Sequence, residues 1–472
     1  MVKCVESLPF TMPARLSADR WAHARIVVPL VVFVYLAILR TRNISETFGM
    51  LGDQILYWRI ALRPWRDLPL GGGPSSVGGT TLGPAFMWTM WLIRHVVGPW
   101  TQNLPHAGGI GLSLIQSAAD VILLVAIWKR FASLPLALAV TLAVATSPEE
   151  LSISATIWNP PLALAFVKMT MALVLLGDGR NGSLWWTAGA TATAVLAVQC
   201  HSSAVFFAAP VIASFTIREL SAKGRDRALK CASATAIVVL VLEAPFLVDV
   251  ALHGGNRTSP TVVVGNVSYT VQNPGTLRPA AAFHALADAS GAIVLSPWSF
   301  AWFGTLLVAC AVVTAFRTRH DITVPCVTIV PLLAAVGAFS LWQLTFERYW
   351  FLTLAPSAAL TIGLALTAWR PAASLVATFL VLLVLAAQPS RFDDAKKINR
   401  LPEYGAIVRG SRDIRRRVAE VRSIETEFSL PPSTDRNVIY EILGGRVTQT
   451  APYAATIERT GHARFTPAAD GP

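Results

Sequence analysis

About eleven apolar runs recur along this chain, and they leave it few folds to choose from. They occupy roughly 24–40, 110–128, 133–147, 161–177, 184–199, 203–217, 231–251, 299–316, 322–342, 350–368 and 372–388. A helix needs about 20 apolar residues to cross the hydrocarbon of a bilayer, fewer when its ends snorkel. The sequence therefore predicts an all-α polytopic membrane bundle of about 11 transmembrane helices. Composition agrees: 14% of the residues are charged, against about 25% in a soluble domain. The 472 residues match the length of about three soluble domains, but runs that share one bilayer form one bundle, expected over 1–388. The first run is expected to be a retained anchor, because Arg40-Thr41-Arg42 and no small-residue cleavage site follows Leu39.

Charge orients the runs, since cytoplasmic loops carry an excess of Lys and Arg. With the N-terminus and Arg15, Arg20 and Arg25 inside, alternate loops hold Lys129-Arg130, Arg180, Arg218 to Lys230, Arg317 with Arg319, and Arg370. The opposite side receives a long first loop, 43–108, a late loop, 252–298, and several short turns. An odd count puts the C-terminus outside. The net charge of +12 is read as topology and anionic lipid, with no nucleic-acid partner. Cys4, Cys200, Cys231, Cys310 and Cys326 have neither disulfide-framework nor metal-ligand spacing.

Inside the first outer loop, Gly52-Asp53-Gln54 opens a short helical pattern with Leu51, Ile55, Trp58 and Leu62 on one side and Arg59, Arg63 and Arg66 beside them. Such a helix lies in the interface. Asp53 would then stand at headgroup level, either as a reactive carboxylate or as a stabiliser of the helix start. The glycine-rich stretch from Leu70 to Pro84 reads as a backbone-lined turn, with no Walker-type Lys-Ser/Thr after it.

Four further outer features are expected to converge with Asp53: Pro148-Glu149-Glu150, Trp158-Asn159-Pro160-Pro161, Gln199-Cys200-His201, and Phe346-Glu347-Arg348-Tyr349-Trp350. Each has a plainer reading. Glu149 and Glu150 suit a helix start, Asn159-Pro160 opens a span, His201 can be an interfacial hydrogen-bonder, and Arg348 can pair with Glu347. Within the bilayer Asp120, Lys168 and Glu243 stand out. Asp120 and Lys168 belong at similar depth, as a structural ion pair or as part of a proton pathway. The tail, 389–472, is expected to be a small soluble α/β segment, helical through Val418, Val421 and Ile424, with a strand at Asn437–Leu443 and a loose last dozen residues.

Together the outer-loop Gly-Asp-Gln, the stretch Pro-Leu-Gly-Gly-Gly-Pro-Ser-Ser-Val-Gly-Gly-Thr-Thr-Leu-Gly-Pro, Trp-Asn-Pro, Gln-Cys-His and Arg-Tyr-Trp resemble bacterial GT-C membrane glycosyltransferases. The likeness is to the branch of protein O-mannosyltransferases and lipid A aminoarabinose transferases, and it covers nearly the whole chain in order. It implies transfer of a sugar from a polyprenyl-phosphate donor to a glycan, lipid or protein acceptor of the cell envelope, on the extracytoplasmic side. It makes Asp53 the catalytic base. Relatives carry an adjacent acidic pair where this chain has Asp53-Gln54, so Glu149 or Glu150, with Gln54, are the candidates for the second acidic or acceptor-site role. Arg348 and His201, with Tyr349 and Arg59, are the implied contacts to the donor phosphate or headgroup. No strict Asp-x-Asp pair stands in the first loop, so a bound divalent metal is possible but unsupported, and no other cofactor is called.

The chemistry is consistent with this. Glycosyl transfer needs a base for the acceptor hydroxyl, and an Arg fork suits the leaving phosphate. Two other classes use the same features differently. A lipid-linked substrate transporter or flippase would work through Asp120, Lys168 and Glu243, although no pair of Gly/Pro-broken spans repeats in the two halves. An O-antigen ligase-like transferase would place its key residues in the loop 252–298, with His253, Arg257, Arg278 and His284.

Overall fold

A computed structural model describes residues 18–42, 44, 48, 52–72, 83–101, 104–177, 184–253, 261–264, 267–270, 277–297, 302–341, 348–398, 402–429 and 436–467. Leu51, the glycines of 73–82, Arg180, Arg257 and Glu347 lie outside these residues. Helix α1 is Ala18–Thr41, and the first outer loop contributes α2 (Gly52–Ala61) and α3 (Ala85–Val97). Then come α4 (Leu104–Phe131), α5 (Leu134–Ala145), α6 (Pro148–Ser154), α7 (Asn159–Gly177), α8 (Leu184–Cys200), α9 (Val205–Lys223) and α10 (Arg225–His253). A hairpin of β1 (Thr261–Val264) and β2 (Val267–Thr270) precedes α11 (Pro279–Leu295), α12 (Phe303–Arg317), α13 (Thr323–Val327) and α14 (Ile329–Phe339). A 3-10 helix, Arg348–Leu354, leads into α15 (Ala355–Leu366), α16 (Ala373–Ala386) and α17 (Gln388–Ile398).

Every one of the eleven expected runs falls on a helix, but length trims the count. Among the described residues, six helices are long and apolar enough to cross a membrane, or eight if two bent pairs each count as one span. The bends are α5 into α6, at 61°, and α16 into α17, at 46°. Both follow from sequence: Pro148 and Pro389 each stand just past a helix end, where proline cannot continue the ladder. These are two Pro-broken helices where the sequence reading found none. Burial separates centre from rim. The apolar stretch ending in α15 is 83% buried and that of α7 is 78%, whereas that of α10 is 6% buried.

Hydrogen bonds between helix ends establish which loops share a face. On one face Arg130, ending α4, meets Asp321 before α13 at 2.5 Å, and Arg317, ending α12, donates to the Leu364 carbonyl at 2.6 Å. On the other, Arg40 near the end of α1 donates to the Ala145 carbonyl at 3.2 Å, and Asn159 opening α7 donates to the Cys200 carbonyl at 2.8 Å. This is the alternation that the basic loops predict. Helix α11 was not among the expected runs, and both its ends lie at the Arg40 face. The Arg278 amide donates to the Ser340 carbonyl at its start, and the Val294 and Ser296 carbonyls accept from Arg391 at its end. It therefore runs along that face, and the alternation survives it.

The tail forms α18 (Pro402–Arg417), β3 (Ile424–Thr426), α19 (Arg436–Ile442), β4 (Tyr453–Ile457) and β5 (Ala463–Pro467), with a three-stranded sheet in the order β3-β4-β5. Three expectations are corrected here. The run from Asn437 is helix α19, because Ile439, Tyr440 and Ile442 bury one helical face and Gly444, at φ 86°, ends it in the left-handed region. The preceding helix stops at Arg417, and Val421 and Ile424 turn into a bridge to Val447 and into β3. Ala463–Pro467 pairs antiparallel with β4 rather than being loose. Ile407, Ile414, Tyr440 and Ile457 share one apolar cluster with Trp58, Met87 and Met90 of α2 and α3, so the tail is seated on the first outer loop.

Candidate active site

The expected helix at Asp53 is present as α2, with one buried side and one exposed side. Ile55 and Trp58 are buried, while Asp53 in its first turn, Leu56 and Arg59 are exposed. Asp53 makes no ion pair among the described residues. Its carboxyl reaches solvent on one flank, and burial on the other raises its pKa above the usual aspartate value. One turn on, Tyr57 is buried, and its phenol is held un-ionised by burial first and then by the fields of Asp53 and Tyr349. Gln54 is buried.

Tyr349 brings three of the other loops together, and like Asp53 it lies near enough to Tyr57 to act on its phenol. Its ring packs on Trp158 at 4.8 Å and on His201 at 5.8 Å. His201 begins a short 3-10 turn: its Nδ1 accepts from the Ser203 amide at 3.3 Å and lies 2.7 Å from the Ser203 hydroxyl. Burial pushes the imidazole down to about 4, so at neutral pH it is uncharged. With Nδ1 accepting from the amide, the ring proton is assigned to Nε2. His201 thus offers a hydrogen bond here rather than a cation. Beside it, Gln199 donates to the Glu243 carboxylate at 3.1 Å and to the Leu242 carbonyl at 2.8 Å. A Cβ at Gly83 would stand 2.3 Å from the Gln199 side chain, so the end of the glycine-rich loop rests on Gln199 only because residue 83 has no side chain.

Along the same face, Arg348 places both Nε and Nη2 on one oxygen of Asp288, at 3.2 and 3.1 Å, in an exposed pair. Glu149 of α6 feels both of these groups and Arg391. Burial raises its pKa, partly offset by Arg348 and Arg391. Its Oε2 is buried with no hydrogen-bond partner among the described residues. Arg391 is almost fully buried and donates to the Ser296, Ala143 and Val294 carbonyls and to the Thr146 hydroxyl, at 2.7 to 3.2 Å. It clamps the ends of α5 and α11 together, and burial lowers its pKa to about 10.

Glu150 does not join its neighbour. It closes a buried quartet in which Arg40 contacts Asp120 at 2.7 Å and also Glu150, and Lys168 contacts Asp120 at 2.6 Å and Glu150 at 2.7 Å. All four side chains are fully buried. The reason is helical geometry. Successive residues of α6 point about 100° apart, and Ser147, whose hydroxyl accepts from the Glu150 amide at 3.2 Å, sets the phase of the turn. Glu149 therefore faces the outer cluster and Glu150 the bundle. The expected Asp120–Lys168 contact is present, enlarged by Arg40 and Glu150. Sequence reasoning missed Arg40, which looked like a stop after the first run, along with Asp288 and Arg391. A lone acid in the apolar stretch 279–295 was the available signal for Asp288. Among the described residues no three His, Cys, Asp or Glu side chains are grouped to hold a metal.

What these loops offer is a partly desolvated carboxylate, a cluster of aromatic rings around a neutral imidazole, and an exposed guanidinium. No protein-family profile and no curated protein sequence matches this chain. Solved structures do. The chain is similar to ArnT from Cupriavidus metallidurans bound to undecaprenyl phosphate, at 16% identity and a TM-score of 0.55, over 92% of this chain and 87% of that one. The same protein in the apo state matches at 15% identity and 0.54, over 91% and 85%. The archaeal oligosaccharyltransferase AglB from Archaeoglobus fulgidus matches at 13% identity and 0.48, over 81% and 56%. In fold, the chain resembles ArnT over most of the length of both chains.

Proposed function

We propose that this protein is an integral membrane glycosyltransferase that moves a sugar from a polyprenyl-phosphate carrier to a cell-envelope acceptor on the extracytoplasmic side. The observation that carries the reading is Asp53: a partly desolvated carboxylate with no ion pair among the described residues, in the first turn of a helix of the first outer loop. In this mechanism Asp53 accepts the proton of the acceptor hydroxyl as that oxygen attacks the anomeric carbon, a role worth roughly 10² to 10⁴ in rate. The glycosidic bond to phosphate breaks, and the polyprenyl phosphate leaves with its charge met by Arg348, which exchanges Asp288 for the phosphate oxygens. Glu149 orients the acceptor hydroxyl through its unpartnered oxygen. Neutral His201 and the phenol of Tyr349 hydrogen-bond the phosphate and the sugar, and Arg59 stands on the exposed face of α2 toward the headgroup.

A flippase would work through the intramembrane charges. Asp120 and Lys168 are already neutralised by Arg40 and Glu150, and Glu243 is bonded to Gln199. The two readings separate in one experiment. The purified protein is incubated with a panel of polyprenyl-phosphate sugars, and release of polyprenyl phosphate is followed. One donor is expected to be consumed, faster with acceptor present. If no donor is consumed while a labelled lipid-linked sugar crosses reconstituted vesicles, the transferase reading falls.

A further inference from the structure

Two arginines near the end of α1 point in opposite directions, and only one belongs to the buried quartet. Residues two apart on a helix lie about 200° apart, so with Arg40 in the bundle, Arg42 faces the lipid side. There it borders a cleft of about 580 Å³ between α1 and the start of α17, lined by Tyr35, Leu39 and Arg42 on one wall and by Phe392 and Asp393 on the other. The Arg42 guanidinium lies 3.4 Å over the Phe392 ring. Stacking occupies the face of the guanidinium and leaves the N–H donors at its edge for an anion.

The wall below the cleft is built for hydrocarbon. Ile26, Leu30, Val34 and Ile38 repeat every four residues along α1, each 46 to 71% exposed, and the stripe ends one turn later at Arg42. On α16, Leu375, Phe379 and Leu382 are equally bare. An apolar stripe rising to a cation in a headgroup-sized cleft has the order of a phospholipid: chains below, phosphate above.

We infer that the α1–α17 cleft binds the phosphate headgroup of an anionic glycerophospholipid from the surrounding bilayer, with Arg42, oriented by Phe392, as its ligand. The site has a mechanical link to α6. Gln388, also on the cleft wall, donates to the Thr146 hydroxyl at 2.7 Å, where α5 bends toward Glu149, so a bound headgroup braces α17 against that bend.

The test is native mass spectrometry of the purified full-length protein titrated with phosphatidylglycerol or phosphatidylcholine. One phosphatidylglycerol is expected to be held in preference to phosphatidylcholine. Arg42→Ala should weaken it about fivefold, the effect of one cation near an anionic surface, and Phe392→Ala, which keeps the charge and unseats it, should weaken it less. Asp53→Asn should leave it unchanged. Equal phosphatidylglycerol binding by wild type and by folded Arg42→Ala, confirmed by an unchanged melting curve, overturns the inference. So does displacement by millimolar inorganic phosphate, which marks a free-anion site, or displacement by undecaprenyl phosphate, which marks the donor path. Should Arg42→Ala not fold, Phe392→Ala decides: equal binding then overturns the site.

Discussion

Two sets of four charges lie on either side of α6, each with two carboxylates and two cations, and they are put together in opposite ways. In the inner set, Arg40, Asp120, Glu150 and Lys168 exclude water, and each carboxylate touches both cations. In the outer set, Arg348 and Asp288 form an exposed pair, Glu149 keeps a buried oxygen without a hydrogen bond among the described residues, and Arg391 is bonded to neutral oxygens. Each inner charge is paired with two of opposite sign, although the Arg40 Nε has no hydrogen-bond partner among the described residues, and the set can offer nothing to a substrate without leaving a charge stranded in a low dielectric. The outer charges are incompletely satisfied, which is the condition for binding something else. Adjacency in sequence does not decide the matter, since Glu149 and Glu150 fall on different sides.

The largest expected effects lie on different readouts. Asp53→Asn should lower transfer by roughly 10² to 10⁴ in membranes holding the same amount of protein. Near-normal turnover would leave Asp53 a helix-start residue. Lys168→Met should instead lower stability by about 3 to 5 kcal/mol and deplete folded protein in thermal or detergent challenge. The double change of Asp120→Leu with Lys168→Met leaves Arg40 paired with Glu150 and should recover much of that loss. If it is no more stable than the worse single variant, the inner set is not a self-contained unit.

A smaller effect sharpens the outer set. Arg348→Lys keeps the charge and loses the planar fork, so donor affinity and turnover should fall, whereas a mere surface bridge, worth about 0 to 1 kcal/mol, would not register. Asp288→Asn frees Arg348 and should tighten donor binding by at most about fivefold. Weaker binding in Asp288→Asn would mean that Asp288 positions Arg348 rather than competing for it.

The smallest effect is on pH. Burial raises the Asp53 and Glu149 pKa values in the folded chain, so their contribution to stability is present below the unfolded values of roughly 3.9 and 4.3. It is lost as pH rises through the folded values. Asp53→Asn and Glu149→Gln should therefore melt slightly higher than wild type at neutral pH and lose that advantage in acid. A base with a raised pKa also moves the acid limb of kcat/KM upward. A limb at the ordinary aspartate value, unmoved by Glu149→Gln, would argue that neither group is desolvated during turnover.

Much of this was legible in the chain itself, because hydrophobic length and loop charge are local properties. The eleven runs are all helical, and loops that share a sign of charge share a face, as Arg130 with Asp321 and Arg317 with Leu364 demonstrate. The helix at Asp53 and its buried side followed from the spacing of Ile55 and Trp58. The meeting of Trp158, His201 and Tyr349 followed from alternation alone. Three short runs misled, Asn437–Leu443 most plainly, since seven residues of mixed apolar character fit a strand or a helix until the packing surface is known.

Sequence by itself determined that this chain crosses a membrane many times and gathers its polar turns on one face, because a bilayer tests each segment separately for length and charge. Only the tertiary structure decided which charges are spent on one another. Whether Glu150 is a reagent or a strut depends on the phase of α6 after the Ser147-Pro148 bend and on Arg40 arriving from a helix 110 residues earlier. That Asp288 faces Arg348 depends on α11 lying along the face rather than through it. Electrostatic partnership falls off over a few ångströms, and no local pattern in a sequence records which distant residues will stand that close.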